Sequence, residues 1–261
     1  MDFILYLSLF ILALFLGPLY VYLTQRIPLF GDWRTSNRES AHIAPDPLTT
    51  PEALVQVYSA RTFNWRGLFA THCWIAVKPA SAKHYTIYQV AGWRKYSNLP
   101  VLVVEAELPD RYWFGNKPDL VAEVHGPIAE LAMAKIAEAT EHYPHKYKYI
   151  MWPGPNSNSY VAYVARRVPE LKVGMPSIAL GKDYLVESNF FAMAPSGTGI
   201  QFSIKGCLGF LIAKVEGIEF NFLTQIIGIS WYDGLAIKWP GLGKIYLFGQ
   251  RKHELKSLPR T

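Results

Sequence analysis

The first 25 residues form the most uniformly apolar stretch of the chain. Residues 3–25 carry no charged side chain, and Phe3 to Leu23 is almost wholly apolar. An apolar helix of this length crosses the hydrocarbon layer of a bilayer. The segment has neither a basic leading region nor a small-residue cleavage site before Arg26. We therefore predict that residues 1–26 are an uncleaved transmembrane anchor, with its helix over residues 3–24.

Short runs of β-branched and aromatic residues follow an irregular segment. Residues 27–51 are interrupted repeatedly by Pro and Gly, which predicts a tether without regular structure. Strands are predicted at 54–58, 73–78, 85–92, 101–106 and 120–125. Pro127 suits the first turn of a helix. The apolar spacing predicts that this helix runs to about Glu141 and buries Ile128, Leu131, Ala132 and Ile136.

A sharp turn separates this helix from a second one. Pro and Gly dominate residues 152–155, and the polar run Asn156-Ser157-Asn158-Ser159 follows. Apolar residues then recur at helical spacing from Tyr160 until Pro169. Because Asn and Ser are preferred N-cap residues, either Asn156 or Ser157 caps this second helix.

The pattern changes character after residue 183. Residues 184–250 are rich in Gly, Phe, Ile and Leu, and strands are predicted at 200–204, 210–213, 218–222 and 236–239. The apolar excess fits either a core or a membrane-contacting surface, and we favour a core in a small second sheet. The order of elements predicts an α+β fold. Its parts are the anchor 1–26, the tether 27–51, an α+β domain 52–183 and a β-rich region 184–261.

Composition and charge narrow the function classes. Hydrophobic residues make up 51% and aromatic residues 15%, so the chain can bury a substantial core. The net charge of +6 is scattered without a Lys/Arg block, which argues against nucleic-acid binding. The two cysteines and dispersed histidines form no metal-ligand spacing, so we expect neither a metal nor a cofactor.

Two polar residues stand where catalytic groups commonly lie. His72 opens a predicted strand, and Ser157 opens a predicted helix, so they can form a base–nucleophile pair. Gln89, His84 and Tyr88 are equally available to orient His72. The alternative is structural, with Ser157 as a helix cap and His72 as a hydrogen-bonded core residue. Cys73 alternates to the opposite face of the strand, so we expect it to be buried.

Several motifs together resemble a family of uncharacterised bacterial proteins. They are His72-Cys73-Trp74-Ile75, Trp93, Asp110 to Gly115, Trp152 to Tyr160 and Ile178 to Tyr184. The hallmark of that family is a His-x-Trp segment followed by a Gly-Pro-Asn-Ser-Asn turn, and the likeness covers about residues 33–250. The resemblance implies a grouping and no activity.

A more distant resemblance is to permuted papain-like proteins, such as the lecithin–retinol acyltransferase and PPPDE peptidase groups. In those proteins a His opens a strand and an Asn-Cys-x-x-aromatic motif opens a helix. His72 matches that His, and Asn156 to Tyr160 match the motif, but Ser157 stands at the position of the cysteine. The resemblance implies a papain-like antiparallel sheet with two helices.

Three function classes remain open on the sequence. The first is a serine hydrolase or acyltransferase acting on an ester, thioester or amide through Ser157 and His72. The second is a papain-like scaffold that binds a lipid, peptide or partner. The third is a structural subunit of a membrane assembly. We favour the second and third together. The candidate binding residues are Asn156, Asn158, Trp74 and Arg111.

The predicted partners are the lipid membrane and either a membrane protein or a lipid ligand. Arg26, Arg34 and Arg38 follow the anchor, whereas only Asp2 and the terminal amine precede it. Excess positive charge marks the cytoplasmic side. The expected location is therefore the bacterial inner membrane with a single span and a cytoplasmic body, and a periplasmic body is the alternative.

Overall fold

The computed structural model describes residues 2–24, 27–187 and 190–249, with the side chains of residues 2 and 3 excepted. The α-helices in these ranges are α1 (Asp2–Leu23), α2 (Gly126–Glu141) and α3 (Ser157–Arg167). The first five strands are β1 (Leu54–Arg61), β2 (Thr71–Lys78), β3 (Thr86–Val90), β4 (Leu102–Ala106) and β5 (Asp119–His125). The others are β6 (Phe191–Met193), β7 (Gly199–Ile204), β8 (Leu208–Ala213), β9 (Gly217–Phe222), β10 (Gln225–Ser230), β11 (Leu235–Trp239) and β12 (Gly243–Phe248).

The N-terminal helix α1 is apolar on all sides. Its stretch Ile4–Leu23 has a mean hydropathy of 2.3 and is long and apolar enough to span a membrane. One flank packs on the body. The ring of Phe15 lies 6.1 Å from the ring of Phe69, and Gly17 lies directly against the backbone of Pro240. The predicted helix is therefore confirmed, and part of its length contacts the folded body.

The first sheet is antiparallel and has the order β4-β3-β2-β1-β5. Helices α2 and α3 pack on it, and the five predicted strands and both helices are confirmed. The predicted buried face of α2 is wrong in part. Ala129, Ala132 and Ile136 are buried, but Ile128 and Leu131 are exposed. Helical spacing puts Ala129, Ala132 and Ile136 on the side of α2 that packs on the sheet and α3, and Ile128 and Leu131 lie outside that side.

The second sheet is larger than the sequence pattern predicts. It has seven antiparallel strands in the order β12-β11-β10-β9-β8-β7-β6, and the short strands β6, β10 and β12 are not predicted from the sequence. Its apolar residues do not all form a core, so that expectation is wrong for one face. On β9, for example, Glu219 and Asn221 are buried, whereas Ile218 and Phe220 are exposed.

Buried charges join the second sheet to the loop before it. The ammonium of Lys182 donates to Asp183 at 2.9 Å and to Glu219 of β9 at 2.5 Å. Lys238 of β11 donates to the other oxygen of Glu219. Burial alone would raise the pKa of Glu219, but the two lysines hold it at about 2. The carboxylate of Glu219 is thus ionised and bridges two cations.

The α+β class with a β-rich C-terminal region is confirmed.

Candidate functional site

A cavity of about 1030 Å³ lies between the tether, the start of β2 and the start of α3. Eleven aromatic side chains line it. They are Trp33, Phe63, Trp65, Phe69, Trp93, Tyr96, Tyr112, Trp113, Phe114, Tyr149 and Trp152. His72, Asn156, Ser157, Asn158 and Arg111 also line it. The fold therefore brings five of the six predicted site residues to one cavity.

Asn156 is the N-cap of α3, and Ser157 is the first helical residue. The Oδ1 atom of Asn156 accepts hydrogen bonds from the backbone N–H groups of Asn158 at 2.9 Å and Ser159 at 3.1 Å. Ser159 Oγ accepts in return from the backbone N–H of Asn156 at 3.2 Å. This reciprocal cap satisfies groups that a helix start leaves unpaired.

The loop over residues 178–184 wraps around the same helix start. Leu180 O accepts from the side-chain amides of Asn156 at 3.1 Å and Asn158 at 2.8 Å. Ser159 Oγ donates to Gly181 O at 2.8 Å. Gly181 has a φ of +94°, and a Cβ atom there would lie 2.2 Å from Asn156 Nδ2. Only glycine fits this close approach without strain.

Asn158 fastens the helix start to the strand that carries His72. Its Oδ1 atom accepts from the backbone N–H of Cys73 at 3.1 Å, and its Nδ2 group donates to Thr71 O at 2.9 Å. These two residues flank His72 in sequence. The clamp explains why Ser157 and His72, which are far apart in the chain, line one cavity.

His72 is held as a neutral, oriented imidazole. It is only 5% exposed, and its ring stacks on Trp113 with centroids 3.6 Å apart. Its Nε2 atom lies 3.3 Å from Gln89 Oε1, and this acceptor favours the tautomer that carries its proton on Nε2. Burial lowers the pKa of His72 to about 3 against the opposing effect of the Gln89 bond, and Arg111 lowers it further. Of the candidate orienters, Gln89 makes the contact.

Ser157 lies in the cavity wall. Its side chain is buried, and within residues 2–24, 27–187 and 190–249 no hydrogen bond to its Oγ is found, from His72 or elsewhere. The cap already occupies the N–H groups of Asn158 and Ser159. An oxyanion hole at this helix start would therefore rely on the N–H of Ser157 itself.

The remaining predicted residues divide between the cavity and the core. Trp74 lies outside the cavity lining. It is buried against Tyr58, and its indole N–H donates to Pro109 O at 2.7 Å. Cys73 is buried as expected, and burial raises its pKa to about 12. Arg111 lines the cavity, pairs with Glu107 and lies 5.2 Å from the centre of the Trp113 ring.

Three further cations line the cavity and were missed by the sequence reasoning. They are Arg38, Arg66 and Lys95, and none forms an ion pair within the described part of the chain. No Asp or Glu from the described residues lines the cavity. The sequence feature that could have indicated Arg66 and Lys95 is a basic residue directly next to an aromatic residue, as in Trp65-Arg66 and Lys95-Tyr96. The cavity is consequently aromatic and electropositive.

The fold and site define a class: an α+β protein with a helix start fastened beside a strand-borne histidine at an aromatic cavity. The chain belongs to the family described as Protein of unknown function (DUF3750), whose model matches residues 52–184. The matched span contains β1 to β5, α2, α3 and the 178–184 loop. The expected membership of an uncharacterised family is confirmed. Neither a curated protein nor a solved structure matches the chain.

Proposed function

We propose that this protein is a membrane-anchored binding protein that holds an anionic amphiphile in its cavity without chemically changing it. The observation that carries the proposal is the lining of the cavity. Aromatic rings suit an acyl chain, and Arg38, Arg66 and Lys95 suit an acidic headgroup. A phosphate or carboxylate headgroup would give these three cations an anionic partner, and none of them has one among the described residues.

The position of the cavity supports delivery of this ligand from a bilayer. Phe69 lines the cavity, and its ring also contacts Phe15 of α1. A helix that spans a membrane would thus hold the cavity next to lipid. The protein is a single-pass protein of the bacterial inner membrane in this proposal, with its body on the cytoplasmic side, where it acts alone or as a subunit of a membrane assembly.

The non-catalytic part of the proposal rests on Ser157. The His-bearing strand and the capped helix start support a papain-like scaffold, but a serine occupies the nucleophile position. A serine hydroxyl needs a hydrogen-bonded base, whereas a cysteine reacts as a thiolate. His72 is neutral, and no bond between it and Ser157 is found among the described residues.

A titration tests the binding function. Decyl phosphate is added to the purified full chain in a nonionic detergent, and tryptophan fluorescence is followed because several tryptophans line the cavity. We expect a saturable change. Arg66→Gln/Lys95→Gln should weaken the affinity about tenfold, which corresponds to about 1.4 kcal/mol. The matched control Lys83→Gln/Lys172→Gln, outside the cavity lining, should bind like the wild type. Equal affinities for all three proteins would overturn the proposal.

A serine hydrolase or acyltransferase is the second candidate. It is favoured by the presence of His72 and Ser157 in one cavity, with no hydrogen bond to Ser157 Oγ found among the described residues. Ser157 Oγ would attack the substrate carbonyl while its proton passes to Nδ1 and then to the leaving group. We expect a fluorophosphonate probe to leave Ser157 unlabelled between pH 6 and pH 9. Stoichiometric labelling that disappears in His72→Ala would put this candidate first.

A further inference from the structure

The outward face of the seven-stranded sheet is apolar from edge to edge. Cross-strand pairing aligns a row of aliphatic residues that runs from Met193 of β6 through Ile212 of β8 and Ile229 of β10 to Ile245 of β12. All four of these side chains are exposed. With strands about 4.8 Å apart, the row is about 29 Å long.

A second row on the same face is aromatic. Phe191, Phe202, Phe210 and Phe220 lie side by side on β6 to β9. Phe191 is 66% exposed and Phe220 is 62% exposed. Soluble proteins rarely leave contiguous apolar patches of this kind in water, and such patches mark protein or membrane contacts.

The inward face shows why the apolar side chains point outward. Gln201, Glu219, Asn221 and Lys238 are buried there. Asn221 donates to Asp183 at 2.9 Å, and Glu219 binds Lys182. These polar residues belong to a satisfied network, so the sheet cannot turn over without leaving buried charges unpaired. The apolar face is therefore fixed on the outside.

The apolar face is continuous with the N-terminal helix. Phe222 lies on the outward face of β9, and its ring contacts the ring of Phe10 in α1 at 5.6 Å. At a rise of about 1.5 Å per residue, Phe10 lies about 20 Å along the helix from Leu23. The apolar surface of α1 and the apolar face of the sheet therefore meet at this contact.

The turns at the ends of the sheet carry residues typical of a membrane interface. Trp231 and Tyr232 are exposed in the β10–β11 turn. Lys205 and Lys214 are exposed in the turns before β8 and β9. Aromatic belts and lysines favour the headgroup layer.

We propose that the outward face of the β6–β12 sheet lies against the acyl chains of the bilayer that holds α1. The protein then has two membrane contacts, a helix and a sheet face, and its body is fixed in orientation relative to the lipid. This inference rests on the membrane-anchored part of the proposed function and does not depend on the cavity ligand.

Depth-dependent quenching of a fluorophore tests the contact. The full chain carries Cys207→Ser, so that the fully buried Cys73 is the remaining native thiol. An environment-sensitive fluorophore is attached at Ile212→Cys and, in a second protein, at Ile200→Cys. The control is Ile128→Cys, an exposed isoleucine on α2, and Leu9→Cys reports on α1. Each protein is reconstituted in phosphatidylcholine–phosphatidylglycerol vesicles with or without spin-labelled acyl chains.

The expected result is a blue shift and loss of fluorescence at Ile212→Cys and Ile200→Cys, with neither at Ile128→Cys. Quenching at Leu9→Cys alone would overturn the sheet contact and leave the anchor intact. Absence of quenching at every position would overturn both. Efficient cross-linking of unlabelled Ile212→Cys between two copies, without quenching by lipid, would overturn the proposal by identifying the face as a dimer interface.

Discussion

The side chain of Asn156 hydrogen-bonds four backbone groups around the start of α3. It accepts from the N–H groups of Asn158 and Ser159 and donates to the carbonyls of Met151 and Leu180. The adjacent Ser157 lines the cavity together with Asn156. The stabilising hydrogen bonds at this helix start therefore come from the side chain of Asn156, and none of the described residues hydrogen-bonds Ser157 Oγ.

We predict different costs for substitutions at these neighbours. Asn156→Ala removes the cap and should lower the free energy of unfolding by about 0.5–2 kcal/mol. Ser157→Ala removes no hydrogen bond found among the described residues and should change stability by less than about 0.5 kcal/mol. Denaturant titration followed by tryptophan fluorescence compares them. A larger loss for Ser157→Ala would show that its hydroxyl has a structural partner.

His72 gives the protein a predicted sensitivity to acid. Burial lowers its pKa from 6.5 to about 3 in the folded state. The unfolded chain therefore binds more protons between these values, and the stability present above pH 6.5 falls as the pH drops towards 3. Denaturant titrations at pH 7 and pH 5 should show a smaller loss for His72→Gln than for the wild type. An equal loss would mean that other groups cause the dependence.

Part of the site could be predicted at the residue level. Capping preferences narrowed the N-cap to Asn156 or Ser157, and the position of His72 at a strand start indicated a candidate base. The clamp from Asn158 to Thr71 and Cys73 could not be predicted, because it joins segments separated by more than 80 residues. Arg66 and Lys95 were missed because their charges come together only when the cavity forms.

At the scale of elements, the alternation of residue types along the sequence predicts that a strand exists, but it does not predict which of the two faces of the strand is buried. The pattern of β9 is clear, but either set of side chains could have been the buried one. The network around Lys182, Glu219 and Lys238 decides the outcome, and it depends on long-range contacts. Strand β10 was missed because Gly228 interrupts its apolar run, and β6 because it has only three residues.

This network gives a prediction about the second sheet. Glu219→Gln leaves Lys238 without its carboxylate and weakens the pairing of Lys182, so unfolding should become about 3–5 kcal/mol easier. The control Glu187→Gln breaks a partly exposed pair with Arg167 and should cost about 0–1 kcal/mol. Both are measured by denaturant titration at pH 7. Similar costs for the two variants would contradict a bridging role for Glu219.

On the scale of the whole molecule, helix α1 contacts both the cavity region and the apolar face of the second sheet. α1 contacts Phe69 beside the cavity and Phe222 on the apolar sheet face. In the proposed arrangement a bilayer surrounds α1, covers the sheet face and lies close to an electropositive cavity. The hydropathy pattern and the positions of Pro and Gly were enough to predict the anchor and the order of elements. The cavity is formed by six or more chain segments, so it could not be predicted before the folded structure was known.

The central claim is that the cavity holds an anionic amphiphile intact, and native mass spectrometry of the full chain in mild detergent tests it most directly. We predict one bound molecule per chain on the wild type and on Ser157→Ala, released unchanged with an acidic headgroup and an acyl chain. Arg66→Gln/Lys95→Gln should retain much less of it. An empty wild-type chain, a ligand retained equally by that variant, or an acyl group covalently attached at Ser157 would contradict the account.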